Sequence, residues 1–336
     1  MYPYLSDIIN DLFGIDLPFD IYSFGAMVAI AALTAGWLLG KELDRYYKLG
    51  MINGVKMRVD QASSKKKQSS RKQRKQKAKT VQKIVSPSNI VWTVTMIALV
   101  SGFAGARLFH ILENLDQFVA NPGGMLISSG GFSFYGGLIM APLFVVWYLR
   151  RQKLSVPVFA DSIAPGLMIA YGIGRIGCHL AGDGDWGITS DLAIKPDWLP
   201  TWLWAETYPK NIYFGQELAE AVYPTPLYEF AASVIIFAIL WSLRKHPFLS
   251  GWLFYVYLVF NGMERFLIEK IRVNNEFDLL GITVTQAEVI SSILIVLGII
   301  GLVKTTRSRS AEKPTENSAD GAETSKGSFA EENAAS

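Results

Sequence analysis

Cysteine is almost absent from this chain. Cys178 is the only one in 336 residues, so no internal disulfide can form and cysteine usage says nothing about redox compartment. Charge is scarce as well: 18% of residues are Asp, Glu, Lys or Arg, against half that are hydrophobic. A soluble domain carries about 25% charged residues. Residues 1–20 hold four aspartates and no Lys or Arg, the reverse of the basic opening of a secretory signal. Residues 111–130 also lack Lys and Arg. No repeat of fixed period is visible. What these absences leave is a polytopic membrane protein.

A spanning helix needs ~20 mostly apolar residues. Seven segments meet the pattern: about Ile21–Leu39, Ile90–His110, Gly131–Leu149, Pro157–Leu180, Pro226–Leu243, Gly251–Ile268 and Gln286–Val303. The fourth is the weakest by hydropathy. Basic residues set the orientation. Residues 41–90 hold 15 of the 32 Lys and Arg, and further clusters stand at 150–153, 244–246 and 304–309. These follow spans one, three, five and seven. The expected fold is therefore an all-α polytopic membrane protein of seven transmembrane helices, N-terminus outside and C-terminus inside. It divides into an outer N-terminal segment (1–20), a seven-span catalytic domain (21–303) and a disordered cytoplasmic tail (304–336). Within the domain lie a basic cytoplasmic loop (41–89) and an outer lid segment (181–225). The tryptophans of "WLPTWLWAETYP" suit a lid at the headgroup level. The run "SSKKKQSSRKQRKQKAK" (63–79) lacks interleaved aromatics, which argues against nucleic acid and for anionic lipid.

Ionisable groups inside spans are costly and mark function by default. Here they are Arg107, Asp161, Arg175, Glu229, Glu264, Arg265 and Glu269, with Arg272 just beyond. The expected topology puts all but Asp161 at the outer leaflet. Arginines there offer bidentate donors to phosphate, and nearby carboxylates orient them. "ERFLIEKIR" (264–272) sets Arg265, Glu269 and Arg272 on one helical face. A transporter would instead gather such groups at the midplane. The "GDGD" of 182–185 lacks EF-hand spacing, and no metal or cofactor is expected.

The same residues carry a resemblance. "GGFSFYGGLI" (130–139), "DSIAPGLMIAYGIGRIG" (161–177), "YPTPLYE" (223–229) and "RFLIEKIR" (265–272) stand in the order of their counterparts in the prolipoprotein diacylglyceryl transferases. The chain resembles that family over roughly residues 20–303. The resemblance implies an enzyme of the bacterial inner membrane with its active site toward the periplasmic face. It would move a diacylglyceryl group from phosphatidylglycerol to the thiol of a lipobox cysteine in a prolipoprotein signal peptide, releasing glycerol phosphate. Arg175 and Arg265 match family arginines, and Glu269 and Arg272 match the acidic and basic positions that follow. Tyr22, Arg107 and Glu229 match a first-span tyrosine, a second-span arginine and the end of the tyrosine–glutamate motif.

The chain also departs from the family pattern. Tyr135 stands before Gly136 and Gly137, where the family commonly has histidine. Cys178 replaces an asparagine. "AGDGDWG" replaces a shorter acidic motif, with Asp183 assigned to its glutamate and Gly187 to its final glycine. Tyr135 and His179 are then the two choices for the base that activates the thiol, and Cys178 is read as packing. Two rival readings are a lipid-handling transferase with another acceptor and a lipid-binding or transport protein.

Overall fold

The structure, a computed structural model, describes residues 2–15, 18–60, 80–127, 132–274, 276–279 and 281–306. The basic run 63–79 and nearly all of the tail lie outside the described residues. The element order is α1 (Leu5–Phe13), α2 (Ser23–Lys48), β1 (Val55–Asp60), β2 (Thr80–Val85), α3 (Val91–Glu113), α4 (Leu115–Ala120), α5 (Pro122–Ile127), α6 (Phe134–Arg151), α7 (Val156–Ala181), α8 (Thr225–Leu243), α9 (Trp252–Glu269), β3 (Glu276–Leu279), β4 (Ile282–Thr285) and α10 (Gln286–Thr305).

A helix occupies each expected span. Five are long and apolar enough to cross a membrane: Ser23–Lys48, Pro87–Glu113, Val156–Ala181, Thr225–Leu243 and Gln286–Thr305. The other two, α6 and α9, have 18 residues each. Arg150 and Arg151 close α6, while Glu264, Arg265 and Glu269 sit inside the last turns of α9. The charges inside α9 are what lower its apolar character.

The described residues are mostly helical, as an all-α membrane protein requires, with little sheet. Two small antiparallel hairpins are present, β1–β2 in register Val55↔Val85 to Asp60↔Thr80, and β3–β4 in register Glu276↔Thr285 to Leu279↔Ile282. The first stands inside the stretch read as a basic loop. In that stretch α2 also continues nine residues beyond Leu39, to Lys48.

The fourth expected span, α7, lies at the centre, and it is not the weakest by hydropathy, since it is apolar enough to cross a membrane where α6 and α9 are not. α7 packs on α2, α8 and α9. Its small residues allow this: a Cβ on Gly172 would fall 2.7 Å from Ser233 Cβ, and one on Gly166 3.3 Å from the Ala35 carbonyl. Between membrane helices, close backbone approach and dispersion replace the hydrophobic drive. α9 and α10 pair the same way, with Gly262 against the Ser291 carbonyl and Gly298 against that of Tyr255. A capping box of Thr285 and Glu288 starts α10.

Asp161, the charge expected toward the inside, is structural. It is 1% exposed and accepts from the Gly251 N–H at 2.6 Å and the Phe254 N–H at 3.0 Å. It thus caps α9 from α7, satisfying donors that would otherwise be orphaned. Around this end gathers an apolar core of Leu39, Leu43, Tyr46, Val91, Leu149 and Val158.

Candidate active site

The opposite end of α7 carries the chemistry. Gly182 takes a left-handed φ of 62° and its N–H reaches the Cys178 carbonyl at 2.9 Å, which stops the helix. Arg175 lies two turns before that stop. Glu229 lies in the first turns of α8, fully buried, with 0% exposure. Arg265 and Glu269 come from the end of α9, and Arg272 from the segment just after it.

Glu229 is the hub. Its Oε2 pairs with Arg175 Nε and accepts from the Tyr171 hydroxyl at 2.9 Å. Its Oε1 meets Arg272 Nη1 at 3.0 Å and lies 3.7 Å from Arg265 Nη1. Arg265 Nη2 reaches Glu269 Oε2 at 3.0 Å, and Asn274 holds the other oxygen of Glu269 at 2.7 Å. The Arg175 guanidinium stands 4.9 Å over the Tyr171 ring. The second hub is Asp185, whose two oxygens pair with Arg175 and Arg272. Three arginines therefore face three carboxylates, and the cluster is balanced in charge.

Of the two aspartates in "GDGD", it is Asp185 that stands between the arginines. Asp183 accepts from the Asp185 N–H at 3.3 Å and forms no ion pair among the described residues. Their environments differ accordingly. Burial and the neighbouring Asp185 raise the Asp183 carboxyl. Burial also pushes Asp185 up, but Arg175 and Arg272 outweigh it and bring it down to about 2. Cys178, Asp183 and Asp185 have donor atoms within 4.8 Å of one another. Two guanidiniums already occupy Asp185, so a cation there would meet repulsion at close range.

Gly187 fixes the loop to the cluster. Its N–H donates to the Tyr223 carbonyl at 2.8 Å, the next N–H donates to the Ile271 carbonyl at 2.9 Å, and Gly187 bridges Arg272 in antiparallel fashion. A Cβ at 187 would fall 2.6 Å from the Ile271 carbonyl. The chain needs glycine here so that it can hold Arg272 in place.

Other expected site residues take different positions. Gly136 packs backbone to backbone on Gly105, where a Cβ would fall 2.1 Å from the Gly105 carbonyl; Gly137 faces Gly102 at 3.3 Å. The pair builds the α3–α6 crossing. Tyr135, on the next position of α6, lies in the fields of Arg265, Glu269 and Glu113. Arg107 stacks over Phe132 at 4.5 Å, and Tyr22 packs on Tyr4 with ring centroids 5.0 Å apart. His179 turns toward the 181–225 segment, its Nδ1 3.2 Å from the Tyr208 hydroxyl. Tyr208 is itself buried against Trp186. Cys178 is buried, with Arg175 Nη1 3.8 Å from its sulfur.

A family model described as prolipoprotein diacylglyceryl transferase matches residues 69–304. The chain belongs to the prolipoprotein diacylglyceryl transferase family. Among its relatives is a phosphatidylglycerol–prolipoprotein diacylglyceryl transferase of Clostridium novyi, 32% identical over 213 residues, 63% of this chain and 77% of the relative. One of Mannheimia succiniciproducens is 31% identical over 234 residues, 66% of this chain and 81% of the relative. One of Streptococcus pyogenes serotype M5 is 28% identical over 231 residues, 66% and 81% of the two chains. All three carry the same name. The matched range of this diacylglyceryl transferase family member includes both hubs, Asp185 and Glu229, and all three arginines.

Sequence reasoning missed Asp185 and Tyr171, and it named Glu264 among the charges inside the spans without giving it a role in the site. Glu264 is 7% exposed, and neither carboxylate oxygen has a hydrogen-bond partner among the described residues.

Proposed function

We infer that this protein is a phosphatidylglycerol–prolipoprotein diacylglyceryl transferase acting in lipoprotein maturation. The observation that carries the reading is the three-arginine cluster on Glu229 in a chain of this family. The chain spans the bacterial inner membrane seven times, with the arginine end toward the periplasm. The 41–89 stretch and the 304–336 tail face the cytoplasm. Residues 181–225 cover the site as a lid, and residues 1–20 lie outside. The Lys and Arg distribution supports this orientation.

The acceptor is the lipobox cysteine of a prolipoprotein signal peptide. Its thiol loses a proton, and the sulfur bonds to the glycerol carbon that carries the phosphate ester. The carbon–oxygen bond breaks, and glycerol phosphate leaves with the electron pair. Negative charge grows on the phosphate, where Arg175 and Arg265 stabilise it. Their charge is balanced before substrate arrives, so the phosphate must displace a carboxylate. Asp185 is the member to yield: its side chain is 32% exposed, against 0% for Glu229 and 1% for Glu269. Arg272 then holds the phosphate from the side that Asp185 leaves. Tyr135, in the field of Arg265, serves the thiol proton or the phosphate, and His179 is the alternative base under the lid. Tyr22, Arg107, Gly136, Gly137, Cys178, Asp183 and Gly187 line or shape the substrate path, and membrane lipids fill its sides.

The test is growth. The gene should sustain a bacterium whose own transferase is depleted, and the Arg175→Ala and Arg265→Ala versions should not. Removing one transition-state donor costs about 10²–10³-fold in rate. Growth supported equally by both alanine versions would refute the phosphate role.

A further inference from the structure

At the end of the molecule away from the arginine–glutamate cluster lies a second basic site. Arg244 follows α8, fifteen residues beyond Glu229, or roughly 22 Å at about 1.5 Å per residue. There a cavity of about 400 Å³ is lined by Arg45, Tyr46, Leu49, Arg244, Lys245 and His246. Its cations come from two helix ends. Arg45 lies in the last turn of α2, pairs with Glu42 at 2.6 Å and donates to the Arg244 carbonyl at 2.9 Å. Arg244 Nε lies 3.3 Å from the other oxygen of Glu42, and its guanidinium stands 4.0 Å over Trp241. Lys245 is exposed.

The groups facing this cavity are incompletely used. Arg244 Nε and both ring nitrogens of His246 are buried without a hydrogen-bond partner among the described residues. The His246 side chain is 3% exposed, and its Nε2 lies 3.6 Å from Asp161, whose oxygens are taken by the N-terminus of α9. Buried polar groups left without partners are costly. Three cations, Arg45, Arg244 and Lys245, stand against Glu42 and Asp161, which leaves one net positive charge. A phosphodiester carries one negative charge and offers acceptors to those donors.

The surroundings are those of a bilayer boundary. Leu49, at the rim, is 59% exposed. On α2, Trp37 is 59% exposed with Lys41 Nζ 3.4 Å over its ring, and Leu33 stands one turn deeper at 52%. On α8, Ile235 is 62% exposed. Aromatic and basic side chains in this pairing mark the headgroup level, and the apolar flanks of α2 and α8 offer beds for acyl chains. Basic pockets between helix ends bind anionic headgroups on this ground.

We propose that the Arg45–Arg244–Lys245–His246 cavity binds the phosphodiester headgroup of an anionic phospholipid, at the membrane face opposite the catalytic cluster. The site is separate from donor binding, and its occupant is a resident lipid.

The test uses the full chain in detergent and native mass spectrometry. Phosphatidylserine, anionic but not the donor, is titrated against phosphatidylcholine. Phosphatidylserine should bind at least tenfold tighter. Lys245→Glu, a change at an exposed position, should abolish that preference while transferase activity stays unchanged. Arg244→Gln, which leaves Glu42 paired with Arg45 and removes the net positive charge, should do the same. Equal binding of the two lipids, or phosphatidylserine binding indifferent to Lys245→Glu, would overturn the proposal. Displacement of phosphatidylserine by millimolar inorganic phosphate would overturn its lipid part and assign the cavity to a free phosphate. None of these outcomes depends on whether the outer cluster performs diacylglyceryl transfer.

Discussion

Glu229→Gln is the sharpest perturbation available. The substitution keeps size and shape but removes the one charge shared by Arg175, Arg265 and Arg272. With Glu229 fully buried, water cannot replace it. Three guanidiniums would then rest on Asp185 and Glu269 alone. Removing one partner of a buried charge group costs ~3–5 kcal/mol. At about 2–4 °C per kcal/mol, the thermal midpoint should fall by roughly 6–20 °C. Rate should fall further than stability alone explains, because the arginines lose the group that aims them; a drop of about 10²-fold is expected, in line with loss of an oriented donor. The assay is transfer of a labelled diacylglyceryl group to a lipobox peptide in micelles, run below the lowered midpoint. Glu229→Asp is the partner experiment. It keeps the charge but is one methylene shorter, and Arg265 is already 3.7 Å away, so it should recover stability more than rate. A Gln variant as stable and as fast as the parent would refute the claim that Glu229 organises the arginines.

Four further outcomes follow from the geometry. Asp185 is held down to about 2 by Arg175 and Arg272, below its unfolded value, so its contribution to stability is present at neutral pH and is lost as pH falls from about 4 toward 2; thermal unfolding should show Asp185→Asn less stable at neutral pH, with the gap narrowing near pH 3, and a constant gap would contradict the assignment. Gly136→Ala should destabilise by about 1–3 kcal/mol or more, because its Cβ meets backbone at 2.1 Å, whereas Gly137→Ala, at 3.3 Å, should be milder; equal midpoints would argue against a tight α3–α6 crossing. Cys178→Ser should keep most activity. If His179 is the base, His179→Ala should lose activity and Tyr135→His should restore it, and failure of that rescue removes His179 from the mechanism.

Much of this architecture was legible in the residues, and the gaps have physical causes. Hydropathy located a helix at each expected span, and the charges inside those spans located the cluster of Arg175, Glu229, Arg265, Glu269 and Arg272. Asp185 was not separable from Asp183, because two carboxylates two residues apart on a loop face directions that only the fold decides. Tyr171 reads as one more aromatic in a helix until its hydroxyl is seen on Glu229. A Gly-Gly pair announces close approach, but a lipid and a neighbouring helix make the same demand; Gly136 answers to the helix. The β1–β2 hairpin does carry alternating Val55, Met57 and Val59, a period of two, yet the charges that follow outweighed it in a reading by composition.

The link between Gly187 and the chain at Ile271 and Arg272 has a mechanical consequence. The segment proposed as a cover is stitched to the same stretch that delivers Arg272, the cation proposed to hold phosphate, through backbone bonds at 187 and 188. The cover cannot swing away without tugging that cation, and the cation cannot re-aim without pulling on the cover. In the proposed mechanism, admission of a lipid and the arming of the site are thus one movement, and a longer linker at 187 would turn them into two.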